Sequence, residues 1–229
     1  MALIETGIPL SAPIDYRDAR LPIVPRGGDI LLLSDIGFRE YALRNTKTRA
    51  IGATTTIPTP YPYNISIPVA ANTPCNPFRV SANIGIKVST ADFQVVLPSE
   101  NIAYIDTYMT GGADYNVGGT DYPHRIYFYM ASLQIDTAEK VTKYDDERGT
   151  IIPLSATNYK TYTLQTMNTD AFTLAKLMKI CNNDHIKLNY IDADGNSQSV
   201  DLVRGVEAPT IERYPKMSSG SFSCKFVKI

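Results

Sequence analysis

The set of residues best spaced for chemistry in this chain is Asp192-Ala-Asp-Gly-Asn196, whose alternating side-chain oxygens resemble the start of a calcium-binding loop. A calcium loop of the EF-hand type needs glycine at its sixth position and a bidentate glutamate at its twelfth. Here Gly195 stands fourth and Val203 twelfth. Asp-Gly between two apolar runs is instead the signature of a tight hairpin turn, and that is the expectation for this segment. Asp184-His185 is an acid beside a base, but it sits between a helical pattern and a strand pattern, where a capping or turn role accounts for it. His124 follows Pro123 next to a glycine-rich stretch and is expected at the surface.

The three cysteines, Cys75, Cys181 and Cys224, are far apart, form no CxxC pair, and are not completed into a zinc site by the two histidines. They read as small buried hydrophobes in a reducing compartment. The sequence contains no GxSxG, GxxxxGK, GxGxxG or HExxH, and the two Gly-Gly pairs at 111 and 118 match no phosphate loop. Asp145-Asp-Glu147 reads as a solvated acidic loop. The expectation is therefore a non-enzymatic protein with no catalytic residues, no metal and no cofactor.

With 22 basic and 23 acidic residues the net charge is −1, and no basic run is present to grip a nucleic-acid backbone. Sequence-specific nucleic-acid binding is not expected. The first residues lack the charged start and apolar core of a signal peptide, and no apolar run reaches the ~18 residues that cross a bilayer, so synthesis in a cytoplasm without membrane insertion is expected. Fifteen tyrosines against seven phenylalanines and no tryptophan suit surfaces that are buried on assembly, since tyrosine joins apolar area to a polar tip.

The elements that position these residues divide unevenly. Ten of the fifteen prolines lie in the first 80 residues, and each fixes φ and removes a backbone donor. Residues 1–77 are expected to form an extended, proline-rich arm, with a short strand or helix at 29–44. Residues 78–229 are expected to form the β-rich domain, with a long loop at 104–123. Within it, Ile84 to Val88 and Phe93 to Leu97 alternate as strands. Ile126, Phe128 and Met130 share one face of a strong strand and Tyr127 and Tyr129 the other, so both faces should be covered.

Leu174, Leu177, Met178 and Cys181 recur at helical spacing after Asn168-Thr-Asp170, which predicts one principal helix at about 169–182. A hairpin from Ile186 to Leu202 and an alternating strand through Phe222, Cys224 and Phe226 complete the pattern. The fold class that follows is α+β, mostly β: an antiparallel sandwich or open barrel with one helix and an N-terminal arm.

An apolar, proline-rich arm before a tyrosine-rich β domain that ends in Ser221-Phe-Ser-Cys-Lys-Phe-Val-Lys-Ile229 resembles virion structural proteins of tailed bacteriophages. The likeness is to the ring-forming proteins of the tail or neck with a tail-tube-like fold, and the Ile/Asn/Lys/Tyr-leaning composition is similar to that of phages of gut Bacteroidetes, including crAss-like phages. The resemblance implies a homo-oligomeric ring of six- or twelve-fold symmetry, other virion proteins as partners, and localisation in the virion. Under it, residues 1–30 and 55–77 are the expected arm contacts, with Ile8, Leu10, Ile23, Val24, Tyr61 and Tyr63 as candidate interface residues. Tyr108, Tyr115 and Tyr122 belong to an expected inter-ring or lumen-facing loop. Deleting residues 1–30 should then leave a folded monomer that no longer assembles. Two other readings stay open: an auxiliary capsid protein, and a receptor- or carbohydrate-binding β-sandwich using the tyrosine-rich loop.

Overall fold

The computed structural model describes residues 3–10, 20–83, 88–145, 151–205, 207–213 and 219–228. The expected strand at 84–88 falls largely outside them. The described residues of the proline-rich third are folded into strands and turns. Its strands are β1 (Leu3–Ile4), β2 (Ile23–Pro25), β3 (Asp29–Ser34), β4 (Glu40–Asn45), β5 (Thr55–Thr56) and β6 (Asn64–Pro68). With β7 (Pro77–Ala82), β8 (Val88–Ser89) and β9 (Phe93–Val96), they form two small sheets, in the orders β1-β3-β6 and β2-β9-β7-β4-β5, with β8 on β7. Prolines mark the ends of these strands: Pro25 closes β2, Pro68 closes β6 and Pro77 opens β7, where a missing donor is tolerated.

Between the prolines the side chains alternate. Ile65 and Ile67 point inward, while Ser66 and Pro68 are exposed. Leu32, Phe38, Ile67, Val80 and Phe93 make a core of their own, each at most 2% exposed. No helix forms at 34–43. Gly37 is pressed onto the chain at Tyr61, where a Cβ would meet the Tyr61 carbonyl at 2.5 Å, so this stretch is a turn between β3 and β4.

The second half is the mostly β domain with one helix that the pattern predicts. Its elements are β10 (Ile102–Tyr108), β11 (Asn116–Val117), β12 (Thr120–Asp121), β13 (His124–Asp145), β14 (Ile151–Thr166), α1 (Ala171–Ile180), β15 (His185–Ile191), β16 (Ser197–Arg204), β17 (Thr210–Arg213) and β18 (Gly220–Lys228). The strands run in the order β14-β13-β10-β15-β16-β18, and β18 pairs back onto β14, so the sheet closes into a six-stranded antiparallel barrel. Closure removes the edges that an open sheet would expose. Phe128, Leu164, Leu188, Phe222 and Phe226 fill the interior, joined by Leu174, Leu177 and Ile180 of α1. The Asp170 carboxylate caps the helix, accepting from the Thr173 amide at 2.9 Å. Asp192 holds the β15–β16 turn, accepting from the Asp194 and Asn196 amides, with Gly195 at φ +82°.

The two halves meet on the outer face of β13. Ile126 and Phe128 point into the barrel, while Tyr127 belongs to the core of the first half, with Tyr129 against it. The Tyr127 hydroxyl accepts from the Asp29 amide at 3.0 Å. Arg125 is paired with both oxygens of Asp106 at 2.7 Å and lies over the Tyr104 ring. Burial alone would lower its pKa, but the Asp106 carboxylate outweighs that and the guanidinium stays charged. The chain's start threads between the halves. Thr6 donates to the Leu31 carbonyl, and Lys176 of α1 donates to the Glu5 carbonyl at 2.9 Å. A Cβ on Gly7 would sit 1.7 Å from the Arg125 carbonyl oxygen. Gly7→Ala must therefore push two backbones apart, and a loss of about 1–3 kcal/mol is expected in denaturant unfolding. An unchanged midpoint would mean that this segment does not dock there.

Candidate assembly surface

The structure separates the nine candidate interface residues. Ile8 and Val24 are 4% and 2% exposed, inside the chain's own core, and Leu10 and Ile23 pack against it. Ile8 and Val24 are thus corrected from arm contacts to internal packing, while Leu10 and Ile23 stay half-buried at the edge of that core. Tyr61 and Tyr63 do remain at the surface, near exposed Ile36 on the turn after β3.

The loop tyrosines are drawn inward. The loop begins at 109 rather than 104, because Ile102–Tyr108 is a barrel strand. Tyr108 stacks on His185 with ring centroids 4.1 Å apart. Tyr115 is buried, and its hydroxyl accepts from the Asn183 amide nitrogen at 2.9 Å. Asn183 also donates to Thr107, Asp114 pairs with Lys179 of α1, and Asp184 accepts from the Thr110 amide. Tyr122 is half-buried. The segment is thus strapped over one end of the barrel.

His124 lies beneath it and is 1% exposed, contrary to its expected place at the surface. Its ring packs on Tyr115 at 4.3 Å, and Nε2 has no hydrogen-bond partner. Burial first, and then the charge of Lys176, push its pKa down to about 3. The folded chain therefore prefers neutral His124, and the unfolded chain takes up its proton near pH 6.5. This contribution to stability is complete above pH 6.5 and is lost as the pH falls toward about 3. Between pH 7 and 4, urea midpoints should fall less steeply for His124→Phe than for the natural chain, the difference amounting to a few kcal/mol. Parallel pH profiles would contradict this.

The feature that sequence reading missed is the length of the β13–β14 hairpin. β13 has 22 residues and β14 has 16. β10 leaves β13 at the Ile102–Tyr129 pair, and β18 reaches β14 only from Thr161 to Gln165. Beyond these points the pairing continues alone, from Thr137 opposite Lys160 to Asp145 opposite Ile151. At ~3.3 Å per residue this two-stranded ribbon is roughly 30 Å long. Among the described residues neither of its edges has a third strand.

Between Met130 and Ser132 the register shifts, so a bulge lies where the ribbon leaves the barrel, the usual device for re-aiming a strand. Ile135 is 46% exposed, and Asp136, Thr137, Glu139, Lys140, Thr157 and Asn158 are exposed. Farther out the sequence turns apolar, with Tyr144 opposite Ile152 and Val141 opposite Ala156. The signal was present in Thr137-Ala-Glu-Lys-Val-Thr142 and Ile151-Ile-Pro-Leu154, β-rich runs flanking Asp145-Asp-Glu-Arg-Gly149. It was weak because neither strand alternates cleanly between apolar and polar.

No protein-family model and no curated sequence matches this chain. Its surface must therefore be read from geometry. A groove of about 380 Å³ between the two halves is lined by Arg125, Tyr104, Tyr127 and Asp29, whose polar groups are largely spent on one another and on Asp106. Among the described residues no His, Cys, Asp and Glu cluster could hold a metal ion, and no helix is long and apolar enough to cross a membrane.

Proposed function

We propose that this chain is a structural virion protein, a ring-forming subunit of a phage tail or neck, which assembles through its projecting β ribbon. The observation that carries the reading is a closed barrel from which two strands run on together, with no third strand on either edge among the described residues. An isolated two-stranded hairpin is marginal in water, and unpaired strand edges are templates for another chain. A subunit whose barrel closes on itself through β14 and β18, yet keeps such a ribbon, offers those hydrogen bonds to a neighbour. In a ring, one repeated heterologous contact, ribbon to adjoining subunit, closes around the axis. Ile135, exposed where the ribbon leaves the barrel, would then be covered by the next copy, and Ile36, Tyr61 and Tyr63 form another exposed apolar group for contact with other virion proteins. The near-neutral charge suits a conduit that does not grip nucleic acid.

Hydrogen exchange tests this reading. In dilute protein the amides of 136–145 and 151–160 should exchange within seconds to minutes. At assembling concentration, alternate amides along one edge should slow at least tenfold. Ribbon amides that exchange equally fast at both concentrations would exclude edge pairing.

A further inference from the structure

Cys181 and Cys224 face each other inside the barrel with their sulfurs 3.6 Å apart. One caps the C-terminus of α1 and the other lies on β18, the strand that closes the barrel. They are 2% and 3% exposed, whereas the third thiol, Cys75, is at the surface. The Cys181 thiol donates toward the Cys224 sulfur. That hydrogen bond pulls the Cys224 thiol down and pushes the Cys181 thiol up, and the nearby Arg204 guanidinium favours thiolate at both. Two cysteines that fill core volume need not touch. These touch, and they join elements 43 positions apart in the chain.

We propose that Cys181 and Cys224 are a latent cross-link, which a low-molecular-weight disulfide such as glutathione disulfide converts to an intramolecular disulfide tying α1 to β18. One cysteine thiolate attacks the oxidant's disulfide and expels a first glutathione thiolate. The other cysteine loses its proton, attacks the mixed disulfide, and expels the second. One S–S bond forms in the protein and one is reduced in the oxidant, with two protons and two electrons passing to two glutathione thiols. The sulfurs must close from 3.6 Å to about 2.05 Å. The bond would enclose β15, β16 and β17 in a covalent loop and so restrict the unfolded chain. A chain made in a reducing compartment would gain this staple on passing to an oxidising medium.

The test uses the full chain carrying Cys75→Ser, reduced and then held in glutathione disulfide under native conditions. The expected result is a mass loss of about 2 Da, a linked Cys181–Cys224 peptide, and a thermal midpoint raised by about 5 °C or more that dithiothreitol restores. The same chain with Cys224→Ala should show no loss of mass and no thermal gain. Two freely alkylated thiols after denaturation, a stable glutathione adduct, or a link between copies would each overturn the proposal.

Discussion

Removing residues 1–30 unfolds the first half of the molecule. The deletion takes Leu3, Ile8, Val24 and Ile30 out of a core in which each is at most 4% exposed. Burial of such a side chain stabilises by about 1.5–3 kcal/mol, so four contribute about 6–12 kcal/mol. That is as large as the whole stability of an ordinary domain, about 5–15 kcal/mol. The deletion also strips β2 from β9 and splits β3, and it uncovers Tyr127 on the outer face of β13. Circular dichroism should show lost strand signal, and the main thermal transition should broaden or fall by tens of degrees. A truncated chain that melts like the natural one would mean that residues 3–30 are dispensable packing. The prolines alone lead to the opposite expectation, a detachable arm.

Shortening the ribbon should do what the arm deletion was expected to do. If Ile135 and Tyr162, which are paired, are joined by Asn-Gly, the barrel keeps its β14–β18 pairs from Tyr162 onward and loses the distal strands. Little buried surface among the described side chains goes with them. The thermal midpoint should move by no more than a few degrees, while self-association falls at least a hundredfold, because the backbone edge is gone. Assembly that survives this change would move the contact elsewhere on the molecule, Ile36, Tyr61 and Tyr63 being the next place to mutate.

The two halves of the chain were unequally legible in the sequence, for a physical reason. In the second half local pattern and tertiary role agree. The Leu174–Leu177–Cys181 stripe is the buried face of α1, Asp170 is its cap, and Asp192 to Asn196 turn a hairpin. The opposite faces of Ile126–Phe128 and Tyr127 separate two cores, as their alternation predicts.

In the first half, the proline density predicts an extended arm with one short element at 29–44, yet Pro25, Pro68 and Pro77 stand at strand ends while Ile65, Ile67 and Leu32 face inward between the prolines. Proline density measures how often strands stop, and short strands stop often. The buried place of His124 depends on Tyr115 and the strap above it, a long-range arrangement that no local spacing encodes. The ribbon escaped because Asp136, Thr137, Glu139 and Lys140 are exposed in near succession, which leaves no period to detect.

If the ribbon makes the ring, mass photometry with negative-stain imaging of the full chain beside the ribbon-shortened chain will show closed rings of one cyclic symmetry for the first and folded monomers for the second. A full chain that stays monomeric from micromolar to hundreds of micromolar, or rings that persist unchanged without the ribbon, would contradict it.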